Sequence, residues 1–135
     1  MITFDQSRIS ESVSIPNLND WLNQVGESEG FSVGEISIIL GSDEWLLEYN
    51  KQYLDHDYYT DIITFDYVES NVISGDLLIS FDRVVDNSLT LNVSRETELC
   101  RVVVHGFLHL CGYGDKTVSE KELMRKKEDY YLNLL

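Results

Sequence analysis

The chain has a single proline, two cysteines and only ten lysines and arginines among its 135 residues. Two cysteines are too few for a disulfide framework. Cys100 and Cys111 sit among apolar neighbours and read as buried free thiols. No apolar run reaches membrane-spanning length; the longest, Ile36–Leu40 and Val102–Val104, are short or interrupted. The opening segment, Met1–Val13, lacks a basic region followed by an apolar stretch and does not read as a signal peptide. A cytoplasmic location with no membrane partner is expected, and no dinucleotide cofactor. Ten Lys and Arg against 24 Asp and Glu give a net charge of −14. That balance argues against broad, sequence-blind binding to nucleic acid or anionic lipid. The one tight basic cluster, Arg125, Lys126 and Lys127, reads as a solvated helix face. Repeats, low-complexity tracts and linkers are also missing, so residues 1–135 read as one domain.

What is present is ordinary for a globular protein: 43% hydrophobic and 25% charged residues, enough to bury a core. Short strands are expected at Ile2–Phe4 and Val13–Ile15. Leu18, Trp21, Leu22 and Val25 recur at helical spacing, with Gly26 as the stop. Glu35–Leu40, Asp61–Phe65 and Leu77–Ile79 are rich in β-branched, aromatic or other apolar residues and read as strands. Ser42 caps a helix carrying Leu46, Tyr49 and Tyr53, and Ser94 caps a long helix through Leu99, Val102, Val103 and Gly106. The Thr117–Glu120 spacing fits a capping box opening a last helix through Leu123, Met124 and Tyr131. Three or four strands with segregated helices predict an α+β domain, a single small sheet with packed helices.

The segment from His105 to Asp115, HGFLHLCGYGD, carries the chemistry. Histidines four apart on a helix share a face, and both imidazoles can reach one ion at about 2.0–2.1 Å. Asp115 lies six residues beyond His109, which is about 9 Å further along a continuing helix. It joins the pair only if the chain turns back, and Gly112 is suited to a left-handed cap there. His105, His109 and Asp115 are therefore the expected ligands of one metal ion per chain, zinc or another divalent ion. Three protein ligands leave a position open for water, as in catalytic rather than structural zinc sites. Zinc peptidases with this histidine spacing place Glu directly after the first His as general base; here that residue is Gly106. The third histidine, His56, lies between two aspartates and reads as a surface residue.

On these residues the chain resembles the YbeY-type endoribonucleases, also described as rRNA maturation factors. Their signature, H-G-x-L-H-L-x-G-Y-D-H, is matched by residues 105–115. An upstream block, L-N-x-x-Y-R-x-x-D-x-P-T-D-V-L-S-F, is matched by Tyr49-Asn50 and Tyr53 through Thr60-Asp61 to Phe65. Gly75-Asp76 before an apolar strand matches a third block. The resemblance covers most of the chain in the expected order. It implies an α+β fold with a zincin-like metal helix, a zinc ion, and cleavage of single-stranded RNA by attack of metal-bound water on a phosphodiester. The implied setting is ribosomal RNA maturation and ribosome quality control, with ribosomal RNA and the small ribosomal subunit as partners.

Two departures from the family matter. Asp115 replaces its third His, which keeps a competent ligand but changes charge and softness. Leu54 stands where the family usually has an Arg credited with catalysis or RNA contact, and a Leu cannot stabilise developing negative charge. Arg101, one turn before His105, is a geometrically possible substitute, although it reads first as an exposed helix residue. No catalytic side chain beyond the metal set is assigned. Met124 reads as helix packing, and Thr60 and Asp61 as turn residues. The rival readings are a non-catalytic ribosome-assembly factor with a structural metal, which Leu54 and the acidic charge favour, and a metallopeptidase, which Gly106 disfavours.

Overall fold

In the computed structural model, which describes residues 1–135, β2 (Ser32–Gly41) runs through a four-stranded sheet. Strands β1 (Ile2–Asp5) and β4 (Val72–Ser80) flank it in parallel, and β3 (Ile62–Asp66) pairs antiparallel with β4 at the edge. Side chains alternate across the sheet, as the pleat requires. Ile36, Ile38 and Leu40 of β2 join Ile73, Leu77 and Ile79 of β4 in one core, shared with α1 (Leu18–Ser28), α3 (Phe81–Leu91) and α4 (Arg95–Leu110). Met124 and Tyr131 of α5 (Val118–Leu132) close that core. The alternate residues Ile63 and Leu78 pack with Leu46 of α2 (Asp43–Leu54) in a smaller cluster bordered by Trp45 and Tyr49. The protein is an α+β fold of one mixed sheet and five helices.

Helix boundaries follow the expected caps. Ser42 and Ser94 accept hydrogen bonds from the Trp45 and Thr97 backbone N–H groups, and Thr117 and Glu120 form both halves of a capping box. Three features depart from expectation. Val13–Ile15 is not a strand: the Gln6 side-chain amide donates to the Val13 carbonyl and accepts from its N–H, so a side chain takes the place of a partner strand. Gly26 does not end α1. It lies inside the helix where a Cβ would stand 2.9 Å from Val33 Cγ2, so it serves close packing of helix on sheet. Helix α3 was not expected. Its signal is nevertheless present, since Ser80 caps it by accepting from the Arg83 N–H, and Phe81, Val84 and Ser88 bury one face.

The glycines also set how α4 lies on the sheet. A Cβ on Gly106 would stand 2.6 Å from Ile62 Cδ1 and 3.0 Å from Leu77 Cδ2. One on Gly75 would stand 2.5 Å from the Phe65 carbonyl oxygen and 2.9 Å from Leu110 Cδ2. Backbone cannot yield as a side-chain tip can. Gly75→Ala should therefore lower stability by about 1–3 kcal/mol, in the range for overpacked cores. Urea unfolding would show the loss as a lower midpoint at unchanged slope; an unchanged midpoint would refute the close-packing role.

Candidate metal centre

Arg101, His105 and His109 follow one another at four-residue spacing and form the half-exposed stripe of α4. The opposite side, including Val103, Val104, Phe107 and Leu110, is buried in the core. The helix ends in a Schellman motif. Gly112, at φ +106°, donates to the His109 carbonyl, and Tyr113 donates to the Leu108 carbonyl. This reversal, expected at Gly112, returns the chain so that Asp115 faces the two imidazoles.

The three expected ligands come together. His105 Nε2 and His109 Nε2 are 3.0 Å apart, and Asp115 Oδ2 lies 3.2 Å and 3.5 Å from them. Each remaining ring nitrogen faces an acceptor: His105 Nδ1 is 2.6 Å from Glu128 Oε2, and His109 Nδ1 is 2.8 Å from the Tyr113 carbonyl oxygen. Those partners place a proton on both Nδ1 atoms, and so leave both Nε2 lone pairs aimed at one another beside a carboxylate. Such a triangle is repulsive unless a proton or a metal cation lies among its atoms. Its dimensions suit one, because donors about 2.0–2.1 Å from a tetrahedral ion stand about 3.3–3.4 Å apart. His105, His109 and Asp115 thus fit a divalent metal ion. Burial alone would lower the His105 imidazole, but its hydrogen bond to Glu128 and the charges of Glu128, Asp61 and Asp115 hold it above its usual range.

The supporting shell is built on two acids that the sequence did not single out, Glu128 and Glu29. Glu128 of α5 is only 4% exposed, and its second oxygen is 3.1 Å from Arg101 Nη1. Arg101 also meets Asp129 at 3.0 Å. It is therefore a paired, partly buried residue rather than an exposed one, because without it the buried Glu128 carboxylate would keep only the longer contact to Arg125, at 3.9 Å, as a cationic partner. Glu29, just past α1, accepts from the Tyr113 hydroxyl at 2.5 Å, from Lys127 Nζ at 3.1 Å and from the Tyr131 hydroxyl, tying the ligand loop to α1 and α5. Lys127 thus leaves the solvated basic face to which it was assigned. Arg125 turns to a cleft of about 460 Å³, and Lys126 alone of the three is simply exposed.

That cleft opens beside His105 and Asp115 and is also walled by Asp61, Glu98, Arg101 and Met124. Asp61, read from sequence as a turn residue, lines it; burial pushes its carboxyl up, with His105 opposing. Thr60 makes only a long local contact, 3.5 Å from its hydroxyl to the Ile62 carbonyl. Met124 is a buried packing residue. His56 is exposed, hydrogen bonded to Tyr58, and Leu54 is exposed at the end of α2 and lines no part of the cleft. Burial pushes the Cys100 thiol up to about 11 and the Cys111 thiol up to about 12, although Cys111 is only partly covered.

Comparison with known proteins identifies the family. The sequence profile of the family described as Endoribonuclease YbeY matches residues 2–135. The chain is 47% identical to the Endoribonuclease YbeY of Parabacteroides distasonis over 131 residues, covering 93% of this chain and 92% of that protein. It is 52% identical over 118 residues to the protein of the same name from Cytophaga hutchinsonii, covering 87% and 82%. The solution structure of TM1509 from Thermotoga maritima superposes with a TM-score of 0.68 at 28% identity, covering 98% of this chain and 87% of that one.

Purified protein should bind about one zinc ion per chain, and His105→Ala, His109→Ala or Asp115→Ala should each reduce occupancy sharply, as read by mass spectrometry. Glu128→Gln should leave the ligands in place but weaken zinc affinity about 10–100-fold in competition with a chromophoric chelator. Unchanged affinity in that variant would show that Glu128 does not orient His105.

Proposed function

The chain belongs to the Endoribonuclease YbeY family, and from that premise we propose that it is a zinc-dependent endoribonuclease specific for single-stranded RNA. His105, His109 and Asp115 are its metal ligands, and residues 1–135 act as one domain. Its substrate is ribosomal RNA, cleaved in the cytoplasm during maturation of the small ribosomal subunit and in ribosome quality control. The observation that carries the reading is the triangle of Nε2, Nε2 and Oδ2 atoms beside an open cleft.

A bound divalent ion supplies Lewis acidity toward a phosphodiester oxygen and toward water. The chain's own groups do the remaining work. Glu128 and the Tyr113 carbonyl fix both imidazole tautomers, so neither ligand must reorient. Arg101 holds Glu128 in place from the far side. Arg125 and Lys121 stand on the cleft wall and supply local positive charge for a phosphate on a protein whose net charge is −14. Long-range attraction to RNA is therefore weak, and recognition rests on the cleft. Gly106 is packed under β3 and β4, so this helix offers no carboxylate where a peptidase needs one.

Purified, zinc-loaded protein should cleave single-stranded RNA, stop on addition of a chelator, and leave casein intact. The His105→Ala variant should lose at least about 100-fold in rate, as expected when the metal's transition-state stabilisation is removed. Full metal occupancy without RNA cleavage would point instead to an assembly factor that uses the ion structurally. Chelator-sensitive proteolysis with intact RNA would overturn the reading.

A further inference from the structure

Among the buried side-chain polar atoms of the chain, one oxygen lacks a hydrogen-bond partner: Oε1 of Glu98. The residue is 4% exposed and lies in the first part of α4. Arg101 is within salt-bridge reach, but its Nε is 4.0 Å from Glu98 Oε1 and its guanidinium is committed at shorter range to Glu128 and Asp129. Burial pushes the Glu98 carboxyl up, with Arg101, Arg125 and a hydrogen bond from the Asn87 side chain opposing, so the unpartnered atom is Oε1 alone. A buried acceptor without a donor is unfavourable, and a ligand donor at this place would relieve it.

Glu98 faces the same cleft as the metal centre. It precedes His105 by two helical turns, about 10 Å along the axis. Among the apolar residues of the cleft, Val102 and Met124 belong to the core and Leu91, half exposed, presents the apolar surface. The volume of about 460 Å³ is ample for one nucleotide. A carboxylate repels phosphate, so what it receives from RNA must be a part of the nucleotide that donates. Apolar surface beside it suits the face of a base.

We propose that Glu98 is the acceptor of a nucleotide subsite adjoining the metal centre. Its Oε1 takes a hydrogen bond from an RNA donor, a base-edge N–H or a ribose 2′-hydroxyl, while the base lies against Leu91. This deepens the proposed function and rests on it. The distance along α4 makes the bound nucleotide one that flanks the cleaved linkage. Glu98 then sets which nucleotide is accepted there, and makes no contact with the reacting phosphate.

The test uses the zinc-loaded full chain and a short single-stranded RNA whose cleavage position has been mapped. Each flanking nucleotide is replaced in turn by its 2′-deoxy form or by one whose base carries no N–H donor, purine riboside for a purine nucleoside or pyrimidin-2-one riboside for a pyrimidine nucleoside. At one flanking position, one class of replacement should raise KM about 10-fold or more, the loss expected for a hydrogen bond to a charged group, with kcat changed less. The class that does so identifies sugar or base as the donor. In Glu98→Gln, which keeps the shape of the side chain, the same replacement should change KM less than about 2-fold, since coupled partners are not additive. A wild-type enzyme that tolerates both replacements at every flanking position overturns the subsite without requiring any variant. So does a folded Glu98→Gln protein that keeps the full penalty. A wild-type chain that cleaves no RNA at all overturns the proposed function itself, a result distinct from the other two.

Discussion

The hydrogen bond between His105 Nδ1 and the buried Glu128 carboxylate, 2.6 Å long, constrains more of this molecule than any other contact. It joins α4 to α5, and it decides which imidazole nitrogen faces the ligand triangle. A carboxylate in that position is heavily desolvated, which is unfavourable by several kcal/mol unless its charge is matched. Arg101, one turn before His105, matches it and is itself held by Asp129. The Arg101–Glu128–His105 chain is therefore a single unit. Removing any member leaves the others with charge or donors unsatisfied.

The sheet acts on the same geometry from the other side. Gly106 and Gly75 allow α4 to lie close against β3 and β4, and this fixes the height of the histidine stripe above the sheet. The left-handed turn at Gly112 then sends the chain back, and Glu29 pins Tyr113 through its hydroxyl. Tyr113 works at both ends, since its carbonyl oxygen accepts from His109 Nδ1. Two imidazoles and a carboxylate are thus held in metal-binding geometry by contacts that do not involve a metal. That is the preorganisation expected of a site meant to exchange substrate while keeping its ion.

Much of this was legible in the sequence, for local reasons. Histidine spacing on a helix, a glycine suited to a left-handed cap, and a carboxylate just beyond it are all contained in eleven consecutive residues, His105–Asp115. Serine and threonine caps are local too, and Ser42, Ser94 and Thr117 act as their positions suggest. What depends on distant partners was not legible. Glu128 is one of several acids on α5, and only tertiary packing distinguishes it from Glu122 or Asp129. Arg101 looked exposed because its counter-ions lie on another helix. Gly26 looked like a helix stop because its packing against Val33 could not be seen. Val13–Ile15 has the composition of a strand, but no strand lies beside it, and Gln6 satisfies Val13 instead. Helix α3 was missed although Phe81, Val84 and Ser88 follow helical spacing.

Protein contacts fix both imidazoles with Nδ1 protonated and Nε2 free for an ion. Long-range proton–nitrogen correlation spectra of the histidine rings, recorded on the full chain before and after addition of one equivalent of zinc, test it most directly. In the zinc form His105 and His109 should both keep the proton on Nδ1 while both Nε2 resonances move to the metal-bound range, with His56 unaffected. Coordination through Nδ1 at either residue, or spectra unchanged by zinc, would contradict it.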